Sequence, residues 1–186
     1  VIIDPCTCLP DSNNRIIMSK AQLKKHLLKL TQEEVIDVIL ELYDARKEAK
    51  EYLDFYMNPN DDIKLDEYKK IIYNEFYPSR GEPKIRFSVW RKAVSDFKKL
   101  KPSPSCIADL MLFYIETGVK FTADYGDMWE QYYITLENNF GKAMEFIYKN
   151  GYLEDFRPRI EKMLKISEEC GWGFPDTLYD FYYQYQ

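Results

Sequence analysis

The stretch from Ser103 to Asp127, SPSCIADLMLFYIETGVKFTADYGD, is the most apolar helix-length segment of the chain, and it restricts the fold more than any other. Ser103 followed by Pro104 reads as an N-cap with proline in the first turn, where the missing N–H costs nothing. Ile107, Leu110, Met111, Tyr114 and Phe121 recur at helical steps, Gly118 fills the slot between the last two, and Leu112, Ile115 and Val119 form a second stripe. Two stripes require neighbours on two sides. Asp109, Glu116 and Lys120 leave only a narrow polar edge, so the helix is expected to be largely buried. The same interruptions exclude a membrane span, which needs about 20 nearly uncharged residues. Gly126 is expected to end it.

A chain of 186 residues is read most simply as one domain over residues 18–186, large enough to bury a core without metals or disulfides. Its 16 Tyr and 11 Phe supply much of that core. Residues 1–17, VIIDPCTCLPDSNNRII, show no helical period and carry two prolines, so they read as a non-helical arm. Met18 then stands as the expected natural initiator. Neither a signal peptide nor a lipidation motif is visible, and Cys6, Cys8, Cys106 and Cys170 do not form a disulfide framework, which suggests a reducing, cytoplasmic setting.

From Ser19 onward the grammar is helical. Ser19-x-x-Gln22 and Thr31-x-x-Glu34 match the capping box and open two helices. Further helices are expected near 47–57, from about 61 to 77, from a Ser88 cap to Leu100, from an Asp127 cap to Lys149, from Phe156 and Pro158 to about Ser167, and over 176–185. No strand pattern competes. The expected fold is all-α, with antiparallel hairpins over 31–57, 61–100, 104–149 and 158–185. They form either a compact bundle or a short array of tetratricopeptide or HEAT kind, although no internal repeat is detectable.

Four stretches, LTQEEVIDVILELYD (30–44), FYPSRGEPK (76–84), ETGVKFTADYGD (116–127) and GWGFPDTLYDFYYQY (171–185), resemble an uncharacterised bacterial family of small helical proteins, a domain of unknown function. The resemblance runs from about Ser19 to the end and implies no activity, ligand or catalytic residue.

No catalytic or cofactor signature stands out. His26, the single histidine, lies among lysines and reads as a surface residue, which removes histidine triads and paired-histidine metal sites. Cys6-x-Cys8 offers two ligands, too few for a zinc site, and no cofactor or metal is expected. Glu116, Asp124 and Asp127 with Asp176 and Asp180 are carboxylates of the kind a hydrolase or hard-cation site uses. The structural reading is preferred, with Asp127 as an N-cap and Asp176 as a first-turn acid. Residues 84–101 carry seven basic residues against Asp96 alone and interleave Phe87, Trp90 and Phe97. Helical phasing turns those aromatics inward, and the net charge of −5 argues against general nucleic-acid affinity. Arg80, in a Pro-Ser-Arg-Gly loop, is placed for a bidentate carboxylate contact or a salt bridge. Trp172, Phe174, Tyr179, Tyr182, Tyr183 and Tyr185 either form a recognition surface or close the core, the latter preferred.

The leading expectation is a non-catalytic protein-interaction module, with a protein or peptide partner and with the Arg80 and Trp172 loops on the rim of a groove. An enzyme or ligand site built on the acids at 116–127 is the alternative, and weak nucleic-acid binding through the helix at 88–100 comes after it. The oligomeric state is open at this level.

Overall fold

Both capping boxes form. Ser19 Oγ accepts from Gln22 N while Gln22 Oε1 accepts from Ser19 N, and Thr31 and Glu34 repeat the exchange, so each helix start satisfies two of its orphan donors. These ends belong to α1 (Lys20–Leu27) and α2 (Gln32–Ala45). The computed structural model describes residues 19–185, and the expectations for the arm and for Cys6 and Cys8 lie outside them. Seven more helices follow among the described residues: α3 (Lys47–Met57), α4 (Asp61–Phe76), α5 (Phe87–Leu100), α6 (Pro104–Tyr125), α7 (Glu130–Lys149), α8 (Leu153–Ser167) and α9 (Phe174–Tyr183). No strand occurs among those residues, so the fold is all-α.

Backbone contacts divide the chain into two units, Val1–Lys50 and Glu51–Gln186. In the first, neither α1 nor α2 has a buried residue. The hydrophobic core lies in the second, running from Phe55 to Tyr182. There α6 packs against α4, α5, α7 and α8, and α9 closes over α7 and α8. Ala108, Leu110, Leu112 and Ile115 of α6 are fully enclosed, as its two apolar stripes require. The chain neighbours α4 and α5, α6 and α7, and α8 and α9 each pack together, in a compact bundle around α6 rather than a stacked array. Gly118 permits a close approach: a Cβ there would lie 2.8 Å from Leu136 Cδ2 of α7. Tyr132 of the same helix donates its hydroxyl to Gly118 O at 2.8 Å. Trp90 of α5 stacks on Tyr114 of α6 at 4.1 Å, and Phe97 is fully buried, so the aromatics of the basic segment do turn inward.

The starts of α5, α7, α8 and α9 differ from expectation, and none of the four carries a side-chain cap bond of its own. α5 begins at Phe87, not after Ser88; the backbone N–H of Arg86 donates to Glu75 of α4, which also takes both arms of the Arg86 guanidinium. α7 begins at Glu130 with Trp129 at its N-cap, so Asp127 is not a cap. α8 begins at Leu153 and carries Pro158 inside it, where proline forgoes one ladder bond beside exposed Glu154. Ser103 does occupy the N-cap of α6, but its hydroxyl faces Ser105 while its N–H donates to Asp61 of α4. Gly126, with φ of 93°, ends α6 as expected.

Candidate functional site

The acids named for the alternative, enzymatic reading are distributed over separate bonding groups. Glu116 and Asp109 stand seven residues apart on α6, hence on one face, and both meet Arg159 of α8. The guanidinium donates from Nε and Nη2 to the two Glu116 oxygens at 3.0 and 2.7 Å and from Nη1 to Asp109 at 2.9 Å. Lys69 of α4 supplies the second base on Asp109, at 2.9 Å. Two cations thus face two anions, and α4, α6 and α8 are tied by charge-assisted bonds. Burial opposes the charge of Arg159, but the Glu116 and Asp109 carboxylates outweigh it and raise its pKa above the ordinary arginine value. Arg159 was not among the residues singled out from sequence, although the 109/116 spacing was a signal for a shared basic partner.

Beside this network lies a cleft of about 360 Å³, lined by Cys106 and Asp109 of α6, Tyr152, and Asp155, Phe156 and Arg159 of α8, among others. Its central carboxylate, Asp109, is already held by both bases.

Asp124 belongs elsewhere. It accepts from Lys120 Nζ at 2.5 Å and from the Tyr77 hydroxyl at 2.7 Å, which together hold its carboxyl below the usual range. Burial and this contact raise the Tyr77 hydroxyl above an ordinary tyrosine. Arg80, three residues beyond Tyr77, is exposed and makes no hydrogen bond or ion pair to any described residue. The expected bidentate contact or salt bridge is therefore absent among those residues.

Asp127 sits in a third group. It accepts from the Tyr133 hydroxyl, which in turn accepts from Met128 N, so one tyrosine of α7 fixes the loop before its own helix. Burial and the Asp127 carboxylate push the Tyr133 hydroxyl up to about 12. The α8–α9 turn meets this loop: a Cβ on Gly171 would lie 2.8 Å from Asp127 Oδ2, and Trp172 Nε1 donates to Met128 O at 3.1 Å. Trp172 and Gly173 both take left-handed backbone, at φ of 62° and 66°. This turn presents the Trp172 ring outward, 60% exposed, and Trp129, the residue after Met128, is 49% exposed. Cys170, next to the turn, is half-buried; burial and then Asp127 push its thiol up to about 11, which keeps it protonated and poorly nucleophilic at neutral pH.

Asp176 is the expected first-turn acid of α9 and is exposed. The aromatic tail divides between the two expectations, since Phe174, Leu178 and Tyr182 enter the core while Trp172 and Tyr183 remain outside. Among the described residues no group of three or more His, Cys, Asp or Glu side chains is arranged to hold a metal ion. No helix there is long and apolar enough to cross a membrane.

Fold and sites together define an all-α protein whose inner carboxylates are joined to bases and whose rim carries outward-facing tryptophans. The chain belongs to a family of unknown function, DUF6155, whose pattern matches residues 18–179. No curated protein and no solved structure matches it.

Proposed function

We propose that this protein is a non-catalytic interaction module of the cytoplasm whose partner, a protein or peptide, is gripped by the aromatic rim formed by the α6–α7 loop and the α8–α9 turn. The observation that carries this reading is Trp172. Leaving a large aromatic ring in water has no folding benefit, yet the backbone here is held left-handed and the indole N–H is tied to Met128 O, so the ring is fixed in place before any partner arrives. A pre-positioned tryptophan loses little entropy on binding and is the side chain most often found at the energetic centre of an interface. Trp129 extends the apolar surface, and exposed Arg80 remains available for an acidic group on a partner.

The acidic alternative has less support. Glu116 is engaged by Arg159 on both oxygens and Asp124 by Lys120 and Tyr77, which leaves neither as a free general base. On the basic helix, Lys92 and Lys99 both pair with Asp96, and Lys98 lies over Phe146, so the charge directed at a polyanion is reduced.

The test is affinity capture with the wild-type chain and with Trp172→Ala, both shown to be folded by circular dichroism. A partner that is retained by the wild type and lost with Trp172→Ala supports the reading. Equal retention by both removes the rim from it.

A further inference from the structure

In α1 and α2 the charges and most apolar side chains are arranged in a way that the other described residues leave unused. Lys20, Lys24 and Lys25 of α1 face no acid on their own helix, and Lys29 follows directly. In α2, Glu33, Asp37 and Glu41 follow at four-residue steps, with Glu34 and Asp44 beside them, and the helix contains no base. Like charges at that spacing repel within a helix, and acids in the last turn oppose the helix dipole. None of these lysines or acids makes an ion pair with another described residue.

The apolar residues show the same incompleteness. Val35, Ile36, Val38, Ile39, Leu40 and Leu42 cover more than half the circumference of α2, yet none is buried, and Leu40 is 56% exposed. Leu28, at the end of α1, is 75% exposed. An exposed apolar face this continuous, on a helix of this length, marks an association surface.

We infer that this surface binds a second copy of the same chain through a twofold contact, with α1 of each copy lying against α2 of the other. The argument for a second copy is complementarity. A helix whose only charges are basic and one whose only charges are acidic, in one chain, are matched by the same pair in a second copy taken in the opposite order, and the twofold operation forms each contact twice. Lysines then meet the Asp37 and Glu41 stripe, while Leu28, Ile39 and Leu40 enter the shared centre, where apolar burial supplies affinity and the charges set orientation.

The test uses the full chain in sedimentation equilibrium. Wild type is expected to be a dimer. Leu40→Asp, at an exposed position where folding is retained, is expected to weaken association at least about tenfold. Lys24→Glu with Lys25→Glu, and separately Asp37→Lys with Glu41→Lys, are each expected to do the same. Mixing the two charge-swapped chains restores dimers, because each basic face then meets an acidic one. A wild-type monomer at every concentration overturns the inference. So does a dimer that withstands Leu40→Asp, or charge-swapped chains that remain apart on mixing.

Discussion

Arg159 shows how much a single side chain holds together in this bundle. Replacing it with methionine keeps the length of the side chain but leaves Glu116 and Asp109 facing each other without their shared base, Asp109 retaining only Lys69. A fully buried broken pair costs about 3–5 kcal/mol; these carboxylates keep some water access, so a loss of about 2 kcal/mol is expected from urea unfolding. Glu75 is one residue through which acid acts. The Arg86 side-chain bonds lower its pKa against the opposing effect of burial. A carboxyl depressed in the folded state contributes stability above its unfolded value, and that contribution is lost as pH falls through the lowered folded value. Urea unfolding at pH 7 and pH 3.5 should therefore show a larger acid-induced loss in wild type than in Glu75→Gln, which has no such proton to take up. Gly118→Ala tests close packing: helix propensity favours alanine by about 0.5–1 kcal/mol, but the new methyl meets enclosed Leu136, and overpacking of about 1–3 kcal/mol is expected to prevail as a lower Tm. None of the three partnerships is local, and sequence reasoning accordingly singled out Glu116 and Gly118 but neither Arg159 nor Glu75.

At the scale of the helices, legibility followed the range of the determining forces. Both capping boxes, the Gly126 stop and the two stripes of α6 rest on neighbours within a turn or two, and all were readable from spacing. The start of α5 was not, because Glu75 of α4 holds the backbone N–H of Arg86 from another helix; nor was that of α7, whose preceding loop is held by Tyr133 bonding Asp127 and Met128. Asp127 has the composition of an N-cap, yet its carboxylate is committed to Tyr133 and abuts Gly171, so its role is to hold a loop and not to begin a helix. The acids at 116–127, close in sequence, take different partners: Glu116 meets Arg159, Asp124 meets Lys120 and Tyr77, and Asp127, beyond the end of α6, meets Tyr133. Gly171→Ala tests the loop's organisation. Its methyl would displace the Asp127 carboxylate, free the Tyr133 hydroxyl from it, and is expected to lower Tm while leaving helix content unchanged by circular dichroism.

For the whole molecule, the division near residue 50 separates two kinds of sequence. Among the described residues the buried core belongs to Glu51–Gln186, so a chain restricted to 51–186 is expected to unfold cooperatively on its own, with a denaturant slope close to that of the full protein. A chain beginning at 51 that fails to unfold cooperatively would mean that the preceding helices are needed for the core. The three tryptophans also give the molecule a built-in optical record of its state. Trp90 is 6% exposed and stacked on Tyr114, whereas Trp129 and Trp172 stand on the outside. Iodide should quench the red-shifted emission of the outer pair and leave a blue-shifted residue from Trp90, so one fluorescence titration reads rim occupancy and core integrity as separate signals without any label.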